Sequence, residues 1–341
     1  MKHSLLPGSP LRAALIVATV LAATSAHAQF DYTAYGVADF SYGRFEPSGF
    51  ERVHRFNSNS MTASFVGVNA SYGFEGGWKP GVTLETFVRF QDAQTGRNQS
   101  DPLLSRKAFV SLSSDYGALS LGRVQTLLFD ATVRFNALGN SVAFSPAIRH
   151  VFASGNLEAV QGDFYWNRTL AYVSPLLLDS VTMSAMHGRG RDGGDHNRLN
   201  AANIVFSRGV FAAALTWQRV KLDNRVDDAT RESTWQLGSS YNFGRARLFG
   251  TYTHTDDGGL DVRSNLLSAG VAVPLGPGTV LFQAGQAQAD GPAVDRKHTT
   301  VSGAYLYEWD SVTHFYVVAM DDRVRGQTEG KSFAIGVRYS F

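Results

Sequence analysis

The feature that most constrains the fold is a strict alternation of large apolar residues with small or polar ones. It is clearest in the last ten residues, SFAIGVRYSF (332–341). The large apolar members of this stretch are Phe333, Ile335, Val337, Tyr339 and Phe341. Because successive side chains of a β-strand point to opposite faces, a period of two places all five on one face. The chain therefore ends on a predicted strand with one apolar and one polar face.

The same alternation recurs along the whole chain, and no helical period competes with it over comparable lengths. Sixteen strands are predicted at residues 30–45, 62–74, 81–91, 106–114, 118–125, 165–174, 180–188, 198–207, 210–222, 233–243, 246–256, 262–274, 279–289, 297–309, 312–322 and 331–341. Tight turns alternate with longer polar connections, which are predicted at 46–61, 92–105, 189–197, 223–232, 290–296 and 323–330. Short turns at one end and longer loops at the other are typical of an up-and-down antiparallel meander.

The two faces of these strands favour a transmembrane barrel over a soluble sandwich. A sandwich also contains many short strands, but it does not explain aromatic residues on the apolar face of nearly every strand. A barrel explains both faces, because lipid covers the outside and water fills the inside. The predicted fold is all-β, a 16-stranded antiparallel transmembrane β-barrel.

Composition excludes several other classes of protein. The chain has no cysteine, so a disulfide framework and thiol-ligated metals are excluded. Its 31 basic and 29 acidic residues give a net charge of only +2, which does not favour nucleic-acid binding. The histidines lack the spacing of metal ligands. No cofactor and no metal are therefore expected.

The first 28 residues read as a cleaved secretory signal peptide. Lys2 and Arg12 supply positive charge, and the apolar stretch 13–23 is too short to span a bilayer. Ala26-His27-Ala28 then fits a cleavage site. The mature domain is expected to cover 29–341.

One connection is far longer than the others, at about 126–164. A structureless loop of about forty residues is uncommon unless it has a function. The interior of a 16-stranded barrel is wide enough to hold water, so a loop that folds inward would narrow it. Its aromatic residues could line a path for a substrate or, as we favour, pack the loop against the wall.

Seven stretches in order resemble the general diffusion porins of the Gram-negative outer membrane, in particular the β-proteobacterial type. They are TAYGVADFSY (33–42), SDYGALSLGR (114–123), NRTLAYVSP (167–175), YNFGRARLFGTY (241–252), AGVAVPLGPGTV (269–280), YEWDSVTHFYVVA (307–319) and AIGVRYSF (334–341). The resemblance covers essentially the whole mature chain. It implies a homotrimer of barrels, each with its own pore, and a third extracellular loop that folds inward to form the constriction.

Candidate residues of the pore wall come from two sources. Strand parity alone places Glu85, Arg89 and Arg338 on the inward face, because a charge facing lipid would cost about 2–4 kcal/mol at the midplane. The resemblance implies wall roles for Arg123, at the start of the long loop, and for Arg168, which follows it. Relatives more often carry asparagine at the position of Arg168, and the usual arginine of the second strand is replaced by Ser64.

The long loop supplies both signs of charge. Its candidate constriction residues are Asp130, Arg134, Arg149, Glu158 and Asp163. Arginines on the wall predict a mild anion preference, because fixed charges enrich counter-ions in a narrow pore. The alternative is that each arginine pairs with a loop acid and holds the loop in place, and both roles can coexist.

The predicted function is a passive, water-filled outer-membrane channel for small hydrophilic solutes and ions. A substrate-specific porin for small organic anions is the alternative, and an outer-membrane barrel enzyme lacks the clustered catalytic groups it would need. The resemblance implies three further partners, namely outer-membrane lipid, lipopolysaccharide and the barrel assembly machinery. It also implies that Phe341 is the assembly signal.

Overall fold

A computed structural model of the protein describes residues 29–99, 101–153, 164–189, 198–222 and 230–341. The predicted signal peptide and part of the predicted long loop, including Glu158 and Asp163, lie outside the described residues. The strands are β1 Gln29–Phe45, β2 Val53–Asn57, β3 Phe65–Gly73, β4 Lys79–Arg89, β5 Gln94–Thr95, β6 Lys107–Ser114, β7 Gly117–Gln125, β8 Tyr165–Val173, β9 Val181–Arg189, β10 Arg198–Arg208, β11 Phe211–Leu222, β12 Thr230–Asn242, β13 Arg247–Asp257, β14 Val262–Leu275, β15 Gly278–Gly291, β16 Val294–Glu308, β17 Thr313–Val324 and β18 Gly330–Ser340.

These strands form a closed barrel of sixteen antiparallel strands. β2 and β3 both pair with β1, one after the other along its length, so together they make one barrel strand. β5 is a two-residue strand that pairs only with the end of β4. The last strand closes the barrel on the first, with Val37 opposite Ser340 and Arg44 opposite Phe333. The sequence prediction of a 16-stranded barrel is confirmed.

Three predicted loops differ from the structure, and one of them, 92–105, contains the short strand β5. The connection at 290–296 is a tight turn, because β15 continues to Gly291 and β16 begins at Val294. Pro292 explains the difference, since its fixed φ favours a turn and it has no N–H to lose. The predicted loop at 46–61 contains β2, which pairs with the end of β1.

The two faces of the barrel carry the predicted chemistry. Large apolar side chains point outward and are exposed, such as Leu237 at 51% and Leu267 at 66%. Between them, polar side chains such as Gln236 and Gln283 point inward and are each only 1% exposed. Most of the barrel stability therefore comes from strand pairing and from side chains packed inside, while the apolar outer face suits lipid.

The connection after β7 contains the helical structure. α1 spans Leu127–Arg134, α2 spans Pro146–Ile148, and a π-helical turn spans Arg149–Ala153. Thr126 caps α1, because its side chain accepts a hydrogen bond from the backbone N–H of Phe129. Among the described residues, no helix is both long and apolar enough to cross a membrane.

Candidate functional site

Residues 126–153 bind to the inward face of strands from distant parts of the chain. The Gln236 amide on β12 donates to the Thr132 hydroxyl at 2.9 Å. Further along, the Ser302 hydroxyl on β16 donates to the carbonyl of Phe144 at 2.6 Å. The Ser141 hydroxyl donates to the carbonyl of Ser60, between β2 and β3, at 2.5 Å. This segment thus contacts the inner wall at three widely separated places, two on strands and one in the connection between β2 and β3.

Glycines on the inward face allow this segment to pack closely against the backbone of the strands. A Cβ added at Gly238 would lie 2.5 Å from the Phe135 ring, and one added at Gly285 would lie 2.9 Å from Pro146. A Cβ at Gly270 would meet that of Ala137 at 3.0 Å. Three strands, β12, β14 and β15, therefore lack a side chain at a point where the segment packs against them.

The aromatic residues of the long connection pack rather than line an open path. Phe135 and Phe144 are 1% and 0% exposed. Phe129 lies between Phe164 and Tyr165, with ring centroids at 4.7 and 6.1 Å. These contacts favour the packing interpretation of the sequence over a substrate path along every ring.

A polar cluster on β16 and β17 fastens the end of the segment. Asp322, with a side chain only 2% exposed, accepts a hydrogen bond from Arg149 at 3.0 Å and one from the Thr300 hydroxyl at 2.7 Å. The His298 ring nitrogen Nε2 lies 2.7 Å from the same carboxylate. The backbone N–H of Ser48 also donates to it, at 3.1 Å. One carboxylate therefore joins the segment, the wall and the loop after β1.

His150 lies beside this cluster and is fully enclosed. Its ring meets that of His298 edge-on, with centroids 4.3 Å apart. Burial, together with the nearby charges of His298 and Arg149, holds the pKa of His150 well below its usual value. His150 is therefore neutral at physiological pH, because its protonation would place a second buried cation next to Arg149.

A second charged cluster comes from the first half of the chain, where five cations between β4 and β7 lie on the inner wall. We call this set, Arg89, Arg97, Arg106, Lys107 and Arg123, the basic wall. Its centre is Glu85, which is 2% exposed and forms an ion pair with Arg106. The Tyr35 hydroxyl donates to Glu85 at 2.6 Å, and Lys107 lies 3.6 Å from it. The Arg106 guanidinium stacks on the Phe65 ring, 3.8 Å from its centroid.

The other members of the basic wall are also held in place. Arg89 pairs with Asp92 at 3.0 Å. Arg97 binds both carboxylate oxygens of Asp101, at 2.8 and 3.0 Å. Burial alone would raise the pKa of Asp101, but the hydrogen bonds and charge of Arg97 outweigh it and lower that pKa.

Arg123 bridges two backbone segments at the end of β7. It donates to the carbonyl of Ser105 at 2.8 Å and to that of Tyr165 at 3.1 Å. Its guanidinium also lies 5.5 Å from the centroid of the Tyr165 ring. Arg123 therefore holds together the two ends of the long connection as well as adding charge to the wall.

The structure brings together some predicted site residues and separates others. Arg89 and Arg123 belong to the basic wall and Glu85 is at its centre, while Arg338 is inward, with a 3.4 Å hydrogen bond to Thr62. Arg168 is not with them. It is exposed, has a φ of +50°, and lies where the pairing of β7 with β8 shifts at a bulge. The bulge adds a residue to β8, and the wall role of Arg168 stays a prediction.

The predicted loop residues take different positions. Asp130 is in the first turn of α1, where its carboxylate bonds to the Gln125 amide, and burial raises its pKa. Arg134 is exposed and donates to Ser207 at 3.3 Å, away from the basic wall. Arg149 binds Asp322, as described above.

Sequence reasoning missed Arg97, Arg106, Lys107, His298 and Asp322. Lys107 could have been found by parity, because it is directly opposite the inward Glu85 in the pairing of β4 with β6. Arg97 lies in the loop before β6 and has no strand parity to place it, and Arg106 is the first residue of the predicted strand 106–114 but precedes the observed one, which begins at Lys107. The partners of Asp322 are distant in sequence, and no local signal connects them.

A cavity of about 180 Å³ lies between the segment and the basic wall. Among the described residues that line it, the charged side chains are Arg97 and Arg106, and none is acidic. Its aromatic lining residues are Phe87, Phe129, Phe164 and Tyr165. The arrangement can hold an anion against cationic and aromatic side chains.

Comparisons with known proteins agree with this architecture. Residues 13–327 match the model of a protein family described as Gram-negative porin. The chain is 26% identical over 325 residues to outer membrane porin protein 32 of Delftia acidovorans, covering 90% of this chain and 88% of the relative.

Solved structures show the same fold. An anion-selective porin from Comamonas acidovorans superposes with a TM-score of 0.77 at 20% identity, over 92% of this chain and 100% of the other. OmpT of Vibrio cholerae, in its trimer form, superposes with a TM-score of 0.69 at 16% identity, over 92% and 99% of the two chains.

Proposed function

The chain belongs to the Gram-negative porin family, and from that membership we propose that it is a passive, water-filled channel with a mild preference for anions. Porins are β-barrels of the outer membrane that act as channels rather than enzymes, and small hydrophilic solutes and ions are the expected cargo. In this proposal, residues 126–153 and the basic wall enclose the narrowest part of the pore.

The observation that carries the anion preference is the charge of the basic wall. Among the described residues, its five cations outnumber the four carboxylates around them, those of Glu85, Asp92, Asp101 and Asp130. Fixed positive charge in a narrow, water-filled passage enriches anions and lowers the local concentration of cations. The small surplus supports a mild rather than a strict preference.

The reversal potential in a potassium chloride gradient tests this proposal. Single channels in a planar bilayer should give a potential of the sign expected for chloride. Arg123→Ala should shift that potential towards the value for potassium, because it removes one cation from the wall. Arg52→Ala, at an exposed arginine paired with Glu46, should leave it unchanged. A potassium-selective wild-type channel would contradict the proposal.

A homotrimer is also part of the proposal. An outward groove of about 530 Å³ lies at the seam where β18 meets β1, lined by rings such as Phe40, Tyr42 and Phe315. Contiguous apolar surface of this kind is typical of contact sites between proteins. The seam is the face on which we place the contact between subunits, and the opposite side of each barrel then faces lipid.

The cavity beside the basic wall favours a second candidate, a channel specific for small organic anions. Two arginines and four aromatic rings line it, which suits a monocyclic aromatic carboxylate. Such a solute would bind its carboxylate to arginine and its ring to the aromatic side chains.

Current block distinguishes this candidate from general diffusion. Millimolar benzoate should reduce chloride conductance, whereas acetate, which lacks the ring, and benzyl alcohol, which lacks the charge, should not. Phe129→Leu should weaken the block by benzoate, and Phe135→Leu, whose ring lies away from the cavity, should preserve it. If benzoate and acetate reduced the conductance equally, the channel specific for small organic anions would be rejected in favour of general diffusion.

A further inference from the structure

A second cavity lies at the end of the barrel with the longer loops, where β1 ends and β2 begins. Its volume is about 490 Å³, and we call it the outer cavity. Residues of β1, of β2, of the connection between them and of the inward faces of β17 and β18 line it. Ala143 also lines it, whereas Asn140 and Val142 line the cavity beside the basic wall. The segment 126–153 therefore lies between the two cavities.

Much of the lining of the outer cavity is apolar. Phe45 of β1 and Met320 of β17 are on the inward face and are 8% and 5% exposed. Phe50, in the connection after β1, is 72% exposed. An exposed ring beside buried apolar side chains can cover the apolar part of a ligand, and the volume is in the range of small-molecule sites.

Among the described residues that line the outer cavity, three are charged, namely Glu51, Arg55 and Arg149. Arg149 is paired with Asp322 at 3.0 Å, so its charge is balanced. Within the described chain, the side chains of Glu51 and Arg55 form no ion pair or hydrogen bond, either with each other or with another residue. The cavity is therefore lined by one carboxylate and one guanidinium that are both available to a ligand.

Strand pairing places Arg55 on the inward face. Arg55 is directly opposite Gly43 of β1, which lies between the buried, inward Ser41 and Phe45. The Arg55 guanidinium lies 5.0 Å from the centroid of the Phe45 ring. A cation above an aromatic face is held in position without losing its charge or its hydrogen-bond donors. Arg55 is thus oriented by the wall and exposed to solutes in the lumen.

The connection that contains Phe50 and Glu51 is held in place by the turn between β17 and β18. The Ser48 hydroxyl donates to the carbonyl of Thr328 at 2.8 Å, and the backbone N–H of Gly49 donates to the same carbonyl at 3.0 Å. A Cβ added at Gly330 would lie 2.5 Å from the Pro47 backbone, so glycine allows this close approach. A ligand would therefore meet a preformed site and would not have to order the connection.

The charges of the outer cavity suit a ligand that has both signs of charge. Arg55 attracts a simple anion but Glu51 repels it, and the reverse holds for a simple cation. A ligand with a carboxylate and an ammonium group complements both residues. The cavity beside the basic wall differs, because Arg97 and Arg106 are the charged members of its described lining.

We propose that the outer cavity binds a zwitterion with an apolar side chain, either a free apolar amino acid or a short apolar peptide. Arg55 binds the carboxylate, Glu51 binds the ammonium group, and Phe45, Phe50 and Met320 cover the side chain. The role of this site at the entrance of the pore rests on the proposed channel function, but the binding itself does not require conduction.

Saturation-transfer NMR on the folded protein in detergent micelles tests this binding. L-leucine should bind at least about fivefold more tightly than three analogues that each lack one feature. Glycine lacks the side chain, 4-methylpentanoate lacks the ammonium group and isopentylamine lacks the carboxylate. Leucyl-leucine distinguishes the two sources, because tighter binding than leucine identifies peptides and weaker binding identifies the free amino acid.

Variants of the two charged residues test the assignment. E51Q and R55Q should each weaken leucine binding about five- to tenfold, because each removes one charge-assisted contact. Both residues are exposed, so the barrel should fold normally. The matched control is R52Q, which lies between them in sequence and pairs with Glu46. Its affinity should stay within about twofold of the wild type.

Three results would overturn the proposal. They are leucine binding no tighter than that of glycine or 4-methylpentanoate, unchanged binding in both E51Q and R55Q, and an equal loss in R52Q. Leucine binding as expected in a protein that forms no conducting channel would reject the proposed function and leave the zwitterion site in place.

Discussion

Replacing Asp322 with alanine should release residues 126–153 from the wall and destabilise the barrel interior. The variant leaves Arg149 without its carboxylate and removes the acceptor of His298 and Thr300. Removing one partner of a buried ion pair typically costs about 3–5 kcal/mol, because the remaining charge stays buried and uncompensated. The segment should then move away from β17, since it would no longer be held by an ion pair there.

Single-channel recording and limited proteolysis would detect this release. We expect larger current fluctuations in Asp322→Ala and faster cleavage within 126–153 than in the wild type. Asp321→Ala is a matched control, because Asp321 is the adjacent residue and pairs with Arg323 on the other face of β17. Wild-type current noise in Asp322→Ala would show that the segment does not depend on this carboxylate.

Deleting Phe341 should greatly reduce the amount of assembled barrel while leaving the conductance of the surviving channels unchanged. The backbone of Phe341 forms two hydrogen bonds with Gly36, at 3.0 and 3.1 Å, at the seam that closes the barrel. Its ring covers Gly36, where an added Cβ would lie 2.6 Å from it. The residue therefore combines the proposed assembly signal with the last pairing of the closing strand.

Two measurements separate assembly from conductance. Electrophoresis of unheated and heated membrane fractions gives the folded fraction of the barrel, and bilayer recording gives the conductance. The deletion should lower the folded fraction several-fold, whereas Phe333→Ala, an outward aromatic of the same strand, should lower it much less. An altered conductance with normal assembly would contradict the role of Phe341 as an assembly signal.

The barrel could be predicted from sequence because its signal is local and repeated. Each strand shows the period of two by itself, and parity alone placed Glu85, Arg89 and Arg338 on the inward face. The closing pair of strands followed from the same pattern. Parity did not place Arg168, whose wall role came from the resemblance, and a bulge resets the alternation at that point.

The interior could be predicted only in part, because its contacts join residues far apart in sequence. A long connection with many aromatic residues indicated a segment packed on the wall. Nothing local indicates that Gly238 receives Phe135, or that Asp322 receives Arg149. Arg97 lies in an irregular stretch before β6, where neither period nor parity predicts orientation, and Arg106 lies just outside the observed strand although the prediction included it.

A single cysteine at the proposed constriction tests the central claim most directly. The chain has no cysteine, so Asn140→Cys places the only thiol in the lining of the cavity beside the basic wall. Leu267→Cys, an exposed position on the outer face, is the control. Both would be treated with a negatively charged methanethiosulfonate during single-channel recording. We predict that labelling at 140 lowers conductance and shifts the reversal potential towards potassium, with no change at 267. A labelled 140 variant with wild-type conductance and reversal potential would contradict a constriction between residues 126–153 and the basic wall.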